Sequence, residues 1–474
     1  MNRSDFLCLT PLLIVAGAPI LIMLTVAFRR NFRVIYGFSL LAFLAAFLSV
    51  ILLKDTIPHS VSSLFVMDGF TAMISAIILF ACMAVTVFSK NFILVQESEK
   101  EEYFIILFVA ALGSLLLAGA SHLVTLFLGL ETLSVSLYIL TAYRRALDRS
   151  VEASVKYLIL ASVSSAFLLF GMGLIYMGTG SLTFSGIASS LAAPGSATPI
   201  LLTGFSMMLA GLGFKLALVP FHMWTPDVYQ GAPLPVTMYI ATVSKGAVMA
   251  LFLRLFLAVR GAENSFLVPV ITGLAVLSMF FGNLLAIRQQ NIKRILAYSS
   301  ISNMGYLLVT LLISSGEGIP AAVFYILSYT LTTLGAFGVI TLVSKREQDA
   351  EMVEDYRGLF WKKPWIAIVF TLALLSLAGI PLTTGFMAKF YLVFAGVHSG
   401  LWLLVISLIV NSVIGLYYYL RVIVAMFSMG NDHEFAHGSV GDRILLAILA
   451  VGILGIGILP QWIFHLIVKY SQIF

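Results

Sequence analysis

Long apolar runs alternate with short polar segments along the whole chain. Each run extends for about 18 to 25 residues, the length that an α-helix needs to cross a bilayer. The runs are continuously apolar and do not alternate with a period of two, so the pattern does not predict a β-barrel. It predicts an all-α polytopic membrane protein with about fourteen transmembrane helices. They are predicted at 6–28, 34–53, 68–89, 102–119, 121–143, 155–177, 199–229, 233–256, 264–287, 292–314, 319–343, 364–395, 402–427 and 443–469.

Helices 7 and 12 of this set are predicted to be discontinuous. Pro220 cannot donate a backbone hydrogen bond and its ring crowds the preceding turn, so helix 7 should open one turn after Lys215. In helix 12, the segment "LAGIPLTTGFMAKFY" places glycines and a proline ahead of Lys389. A matching pair of interrupted helices is typical of inverted-repeat transporters, although ordinary proline kinking is the alternative.

The two interruptions predict a division of the chain into two inverted five-helix repeats with flanking helices. The predicted parts are an N-terminal three-helix segment at 1–101, a first repeat at 102–260 containing helices 4 to 8, a second repeat at 261–430 containing helices 9 to 13, and a C-terminal helix 14 at 431–474.

Composition supports a membrane protein and narrows the remaining classes. Hydrophobic residues make up 61% of the chain and charged residues only 10%, far from the averages of soluble domains. Cys8 and Cys82 lie in apolar runs without a CxxC spacing, which indicates packing and neither a disulfide nor a metal site. The net charge of +6 does not indicate nucleic-acid binding, because the basic residues fall in short loops between helices. No cleavable signal is predicted.

The distribution of Lys and Arg predicts the orientation of the chain. Loops after odd-numbered helices, together with the first turn of the helix that follows each loop, contain seventeen basic residues, whereas the opposite side, termini included, contains four. By the positive-inside rule, both termini should face away from the cytoplasm. The seventeen are Arg29, Arg30, Arg33, Lys90, Lys100, Arg144, Arg145, Arg149, Arg288, Lys293, Arg294, Lys345, Arg346, Arg357, Lys362, Lys363 and Arg443; the four are Arg3, Lys54, Arg260 and Lys469. The mixed-charge segment 345–363 is predicted to be a solvated cytoplasmic surface that contacts a partner or only water.

Ionisable residues inside the predicted helices are the candidate functional groups. Three of the six basic residues there lie toward helix ends, where they can reach the membrane interface: Lys156, Arg254 and Arg421. The other three, Lys215, Lys245 and Lys389, lie deep in the membrane, with Glu131 as the one acidic residue in the middle of a helix. Such a group costs about 2.5 to 3.5 kcal/mol to insert and usually serves ion or proton traffic. A structural ion pair is the alternative, but one carboxylate cannot neutralise three amines.

Four segments carry a resemblance to a known family: "GFKLALVPFHMWTPDVYQGAPLPVTMYIATVSKGA", "GLETLSVSLYIL", "KRILAYSSISNMGYLL" and "GIPLTTGFMAKFYL". The chain resembles the antiporter-like proton-channel subunits of respiratory complex I, the bacterial NADH–quinone oxidoreductase, over nearly its whole length. It is most similar to the subunit N branch. Another branch commonly has glutamate where this chain has Lys389, and a third continues into a long lateral helix, whereas this sequence ends at Phe474.

The resemblance implies the roles of the buried charges. In the family, a glutamate of helix 5 and lysines of helices 7, 8 and 12 form a charged axis for proton transfer, which carries over onto Glu131, Lys215, Lys245 and Lys389. Lys215 would hold its proton while paired with Glu131 and release it when the two separate. His222 could extend the relay or satisfy backbone groups at the helix break.

Helix 10 contains polar residues instead of a carboxylate. These are Tyr298, Ser299, Ser300, Ser302 and Asn303, expected either to hold water or to form interhelical hydrogen bonds.

The sequence lacks a recognisable redox site, since it has no Cys cluster and no dinucleotide-binding glycine motif. The resemblance implies no cofactor in this chain, with NADH, FMN, iron–sulfur clusters and quinone on partner subunits. It implies a multi-pass protein of the bacterial inner membrane that contacts lipid, protons and homologous membrane subunits, but no nucleic acid. Three functions are therefore considered: a proton-translocating subunit of a redox-driven translocase, a subunit of a secondary cation/proton antiporter, and a passive scaffold.

Overall fold

The chain folds into helices packed side by side, with one short β-hairpin. The computed structural model describes residues 2–53, 56–95, 100–192, 198–259, 267–314, 316–345, 349–429 and 439–471. The first half contains α1 (Arg3–Phe28), α2 (Phe32–Leu52), β1 (His59–Val61), β2 (Phe65–Met67), α3 (Gly69–Val95), α4 (Glu102–Ala118), α5 (Leu123–Thr141), α6 (Asp148–Thr179), α7 (Phe184–Leu191), α8 (Pro199–Leu216), α9 (Trp224–Gly231), α10 (Leu234–Tyr239) and α11 (Lys245–Val259). The second half contains α12 (Leu267–Ile287), α13 (Ile292–Leu312), α14 (Gly318–Val343), α15 (Leu359–Lys362), α16 (Pro364–Ala378), α17 (Thr384–His398), α18 (Trp402–Phe427), α19 (Val440–Ile458) and α20 (Pro460–Ser471).

The predicted class of an all-α polytopic membrane protein is confirmed. In the described part of the chain, twelve helices are long and apolar enough to cross a membrane, counting α10 and α11 as one continuous helix. Each of the fourteen predicted segments coincides with helix, but α4 has 17 residues and α16 has 15, which makes both shorter than a typical membrane-spanning helix. The count of fourteen spans therefore stays a prediction.

The first half of the interrupted helix 7 ends earlier than proline chemistry alone predicts. Helix α8 stops at Leu216, one residue after Lys215, because Ala217 adopts a left-handed conformation with φ of 59°. The Leu218 amide then donates to the Gly213 carbonyl and the Ala217 amide to the Phe214 carbonyl, which is a Schellman closure. The chain is helical again only from Trp224.

Helix 12 is interrupted by the same closure. Helix α16 ends at Ala378, and Gly379 takes the left-handed position with φ of 86°. The Ile380 amide donates to the Leu375 carbonyl and the Gly379 amide to the Ser376 carbonyl. Helix 14 carries a break that the pattern of apolar residues does not predict: α19 ends at Ile458 and α20 begins at Pro460. Proline fits that first position because its missing N–H would be unpaired there in any case.

Helices near the centre of the bundle are buried on all sides. All side chains in the apolar stretch of α13 are buried, and about nine tenths of those in α14 and in the α10–α11 helix are buried too. Helices α1, α2, α6, α12 and α18 lie at the periphery and expose large apolar side chains such as Val163 and Phe170. Exposed apolar side chains are what a bilayer, or an apolar neighbouring subunit, requires of a surface.

Ion pairs join several loops at one end of the bundle. Asp349, in the segment between α14 and α15, pairs with Lys293 at 2.5 Å and with Arg144 at 3.4 Å. Lys293 and Asp349 are only 1% and 9% exposed, so this part of segment 345–363 is not the solvated surface that its composition predicts. Its charges are buried because they neutralise one another. Burial raises the pKa of Asp349, but the Lys293 and Arg144 charges outweigh it and hold that pKa below its usual value.

The other end of the bundle contains the β-hairpin and a different group of loops. Phe65 bridges to Ala120, and His122 bridges to Thr183. Within the described residues, the loops therefore separate into two groups as the alternation of odd and even helices requires. Which group faces the cytoplasm stays a prediction.

The three basic residues assigned to helix ends are held by polar partners. Arg254 does not extend to the interface: it is 6% exposed and forms a bidentate pair with Asp68 at 2.8 and 2.9 Å. Lys156 pairs with Glu152 at 2.7 Å, and Arg421 donates to the Ile287 carbonyl at the end of α12. These contacts support structural roles.

Several sequence predictions fall outside the described residues. The repeat boundaries at 260/261 and 430/431 do so, as do three of the basic residues used for orientation, Lys54, Arg260 and Arg346.

Candidate functional site

Lys215 lies in the last turn of α8, where its side chain is 6% exposed. Its ammonium donates to the Ser134 hydroxyl on α5 at 2.6 Å, and Ser134 donates in turn to the Leu130 carbonyl. The helix break brings the ammonium to the carbonyl end of α8, where the helix dipole favours a positive charge.

Glu131 lies on α5 one turn before Ser134 and is half-buried. It accepts a hydrogen bond of 2.6 Å from the Ser165 hydroxyl on α6. Within the described residues, no ion pair shorter than 4.0 Å joins Glu131 to Lys215, so each charge instead contacts a serine on a neighbouring helix. The predicted pair is thus separated in this structure, and Ser134 lies on the same helix face as Glu131 because the two are three residues apart.

Lys245 is the most deeply buried of the three lysines, with 1% of the residue exposed. It follows a π-helical turn at Ile240–Ser244, which widens the helix just before it. Its ammonium donates to the Ser300 hydroxyl on α13 at 2.6 Å and lies 5.4 Å above the ring of Tyr229. Both contacts stabilise a positive charge.

Lys389 binds the open end of the first half of helix 12. Its ammonium donates at 2.9 Å to the Leu377 and Ala378 carbonyls and at 2.8 Å to the Ser412 hydroxyl on α18. The last four carbonyls of a helix have no partner inside it. In α16 the Schellman closure provides donors for the Leu375 and Ser376 carbonyls, and Lys389 provides donors for the final two. All four carbonyls at the end of α16 therefore have a hydrogen-bond partner.

Gly379 makes this arrangement possible in two ways. Its φ of 86° suits glycine, and a Cβ added there would lie 2.9 Å from the Lys389 Cδ atom. The glycine is therefore needed both for the turn and for the close approach of the lysine side chain.

His222 lies in the segment that connects α8 and α9 and is 7% exposed. Neither ring nitrogen has a hydrogen-bond partner in the described part of the chain. A buried imidazole without partners favours bound water at this position. The structure does not link it to the lysines.

Three of the five polar residues predicted on helix 10 form interhelical hydrogen bonds, while Ser302 donates to the Ser299 carbonyl of its own helix. Ser300 contacts Lys245, Ser299 contacts Tyr419 on α18, and Asn303 accepts from Tyr325 on α14 at 2.6 Å. Among the described residues, no group of three or more His, Cys, Asp or Glu side chains could hold a metal ion.

Two kinds of functional-site residue were not singled out from sequence. The serine partners of Lys215 and Lys389, Ser134 and Ser412, are far from them in sequence, and only the spacing of Ser134 from Glu131 offered a signal. Tyr325 and Tyr329 on α14 are four residues apart in "FYILSYTLTT", so their shared polar face could have been recognised.

Comparison with known proteins identifies the family. Residues 120–415 match the family described as NADH:quinone oxidoreductase/Mrp antiporter, transmembrane. This chain belongs to that family. The matched segment contains Glu131 and all three buried lysines. The predicted resemblance to antiporter-like subunits is confirmed at the level of this family.

Three solved structures share the fold of this chain over 96% or more of its length. A chain of respiratory complex I from Thermus thermophilus with bound aureothin is 32% identical, with a TM-score of 0.83, covering 96% of this chain and 98% of that one. A chain of an archaeal membrane-bound sulfane sulfur reductase is 25% identical, with a TM-score of 0.87 and coverage of 100% and 98%. A chain of the Mrp complex from Dietzia sp. DQ12-45-1b is 20% identical, with a TM-score of 0.87 and coverage of 99% and 97%, and shows the fold alone.

Proposed function

We propose that this chain is a proton-translocating membrane subunit, of the subunit N type, in a redox-driven NADH–quinone oxidoreductase. The observation that carries the proposal is the series of three lysines, each at most 8% exposed and each donating to a serine hydroxyl. Burying three ammonium groups is costly, and a protein retains such groups in a membrane mainly for ion or proton traffic. The chain itself contributes proton transfer, while NADH, FMN, iron–sulfur clusters and quinone belong to partner subunits.

Glu131 and Lys215 would form the controlling pair of this pathway. Approach of the carboxylate stabilises the ammonium, and separation of the two favours release of the proton. The hydroxyls of Ser165 and Ser134 support the separated arrangement, because each gives one charge an alternative partner. Driving a proton against roughly 180 mV costs about 4 kcal/mol, which is within what burial and pairing of a lysine can supply.

Lys245 would relay the proton sideways, and Lys389 would control exchange at the second half of the pathway. The two half-helices that precede their breaks, α8 and α16, end in the same Schellman closure, which favours two inverted repeats at 102–260 and 261–430. The subunit would lie in the bacterial inner membrane, with both termini on the non-cytoplasmic side and homologous membrane subunits as neighbours.

A secondary cation/proton antiporter subunit is the second candidate. The family name includes the Mrp antiporter, and the fold agrees with a chain of the Mrp complex at a TM-score of 0.87. The higher identity to a chain of respiratory complex I, 32% against 20%, favours the redox-driven assignment.

Membrane vesicles containing the intact complex separate the two functions. Proton uptake should require NADH and quinone and should persist when sodium is omitted from both sides of the membrane. Sodium–proton exchange by this chain without an electron donor would contradict the redox-driven proposal and favour the antiporter.

A further inference from the structure

The hydrogen bonds that begin at Lys245 extend through Ser300 toward Lys389. Ser300 accepts from Lys245 at 2.6 Å and is also 2.7 Å from the hydroxyl of Tyr329 on α14. A third group, the Tyr229 hydroxyl, lies 3.3 Å from the same oxygen. All four residues are buried. Ser300 is therefore a hub between an ammonium and two phenols.

Three neighbours are more donors than one serine oxygen can accept. A hydroxyl has two acceptor lone pairs and one hydrogen to donate. When Lys245 is charged it can only donate, and both tyrosine hydroxyls are oriented as donors to Ser300 as well, so one tyrosine must turn away or accept from Ser300 instead. When Lys245 is neutral its nitrogen can accept, and Ser300 can donate to it. The charge on Lys245 thus sets the direction of the hydrogen bonds around Ser300.

Tyr329 also lines a small polar cavity that Lys389 lines from the opposite side. The cavity lies between α13, α14, α16 and α17, and its lining includes Asn303, Tyr325 and Ser376. A site with several hydroxyl, amide and ammonium groups meets the requirement of a bound water for two to four polar partners. Tyr329 is the residue that contacts the Lys245 hub and also faces the Lys389 cavity.

We propose that the Tyr329 hydroxyl passes the proton between Lys245 and Lys389, a role that rests on the proposed transport function. In the structure Tyr329 donates to Ser300, so the two hydroxyls first rotate into a starting state in which Lys245 donates to Ser300, Ser300 to Tyr329, and Tyr329 to water in the cavity. The Lys245 N–H bond breaks as an O–H bond forms on Ser300, and the same exchange follows at Tyr329 and at the water. Lys389, neutral beforehand, gains the last proton. Each oxygen gains one proton and loses one, and every hydrogen bond in the series ends reversed.

Substitution of Tyr329 by phenylalanine tests this relay, because it removes the hydroxyl and keeps the ring. In the assembled complex, Tyr329→Phe should reduce the rate of NADH-driven proton pumping at least about tenfold. This threshold is conservative, because a positioned proton-transfer group usually contributes more than that to the rate. The remaining pumping should show a changed ratio of rates in H2O and D2O, which a purely structural role would not produce.

Two buried tyrosines outside the Lys245 and Lys389 sites serve as matched controls. The Tyr103 hydroxyl lies 2.9 Å from the Ser89 hydroxyl, and the Tyr418 hydroxyl donates to the Asn283 side chain. Both Tyr103→Phe and Tyr418→Phe should keep more than about half of the pumping rate, since neither hydroxyl belongs to the proposed series. Pumping by Tyr329→Phe that equals that of Tyr103→Phe would overturn the relay.

A second pair of variants covers the possibility that Tyr329→Phe fails to assemble. Ser300→Ala removes the hub and should reduce pumping as strongly, whereas Ser302→Ala removes a buried hydroxyl that donates to the Ser299 carbonyl of its own helix and should not. Loss in both variants, or in neither, contradicts the relay. If Lys215→Ala and Lys245→Ala also pump normally, the transport function itself fails; if those two stop pumping while Tyr329→Phe does not, only the relay fails.

Discussion

At the scale of single residues, the buried lysines differ in how completely their charge is satisfied. Lys389 donates to three oxygens, whereas Lys215 and Lys245 each donate to one serine hydroxyl. An ammonium has three N–H donors, so the latter two keep capacity for a further partner such as water or a carboxylate. This difference favours Lys389 as a stable resting place for the charge and the other two as sites where it is exchanged.

Lys215 and Glu131 give the most direct test at this scale. Lys215→Ala should abolish most proton pumping, and Lys215→Arg should fail as well, because a guanidinium keeps its proton throughout the accessible pH range. Glu131→Gln should behave like Glu131→Ala, while Glu131→Asp should keep part of the activity because it retains a carboxylate with a shorter reach. The measurement is pumping and NADH–quinone reductase activity in membranes where assembly has been verified. Near-normal pumping by an assembled Lys215→Ala complex would show that the amine is structural.

Asp349 predicts a dependence of stability on pH. Its pKa is held below the usual value of about 3.9 in the folded chain by Lys293 and Arg144. A depressed pKa stabilises the folded state above the unfolded pKa, and this contribution is lost as pH falls through the folded pKa. The ion cluster should therefore be intact at neutral pH and weaken below about pH 4.

Asp349→Asn should remove that stabilisation already at neutral pH. It removes the closer of the two carboxylates that pair with the buried Lys293 and leaves only Glu351, at 3.8 Å, which should cost about 1 to 3 kcal/mol. Thermal unfolding of the complex at pH 7 should occur at lower temperature, with a smaller further loss on acidification. Glu354→Gln is the control, because the Glu354–Arg357 pair is 72% and 57% exposed and contributes little. Equal melting temperatures for the two variants would contradict a stabilising role of the cluster.

At the scale of helices, the sequence predicts where the chain breaks better than how it breaks. Pro220 and the glycines of helix 12 indicate both interruptions, but α8 ends at Leu216 because Ala217 adopts a left-handed conformation. An alanine gives no signal for that, since the conformation costs it about 1 to 2 kcal/mol and is imposed by the surrounding structure. The break before Pro460 had a signal in the proline, which the continuous apolar run concealed.

The sequence likewise reveals only part of the functional site. Sequence identifies buried charges, because charge is rare in apolar runs, and it selects Glu131, Lys215, Lys245 and Lys389. It does not identify their partners, since Ser134 is 81 residues from Lys215 and Ser300 is 55 from Lys245. Serine is common in membrane helices, so only the packing of the helices distinguishes these hydroxyls.

Gly379 provides a prediction at the scale of the broken helix. Gly379→Ala should destabilise the subunit by more than about 1 kcal/mol, because alanine opposes the φ of 86° and its Cβ would contact the Lys389 side chain. Pumping should fall together with stability, since the added Cβ displaces the Lys389 side chain. Gly173→Ala is the control: that glycine lies inside α6 with no neighbour within 4 Å, and alanine there should be neutral or stabilising. A thermal shift assay of both variants checks the contrast, and a Gly379→Ala subunit as stable as Gly173→Ala would be evidence against the close approach.

At the scale of the whole molecule, the loops occupy two ends that differ in charge. Arg144 and Lys293 belong to the end joined by Asp349, and the β-hairpin belongs to the other. The orientation follows only from the excess of basic residues at the first end.

Cysteine labelling tests that orientation. Single cysteines next to Arg145 and Lys362 should react with an impermeant thiol reagent from the cytoplasmic side, and cysteines next to Gly180 and Ser399 from the opposite side. The matched control is a chain in which Cys8 and Cys82, both buried, are replaced by alanine. Labelling with the sides exchanged would reverse the orientation.

The serine partner of each buried lysine also bears on which step limits the turnover rate of the whole complex. A hydroxyl reorients by rotating about one bond, and side-chain rotations of this kind take picoseconds to nanoseconds, whereas collective movements of helices and domains take microseconds to milliseconds. If Ser134, Ser300 and Ser412 are the groups that reset between protons, local resetting is far too fast to limit turnover. The slow step of the cycle then lies in the movement of whole elements or in the partner subunits that supply the electrons.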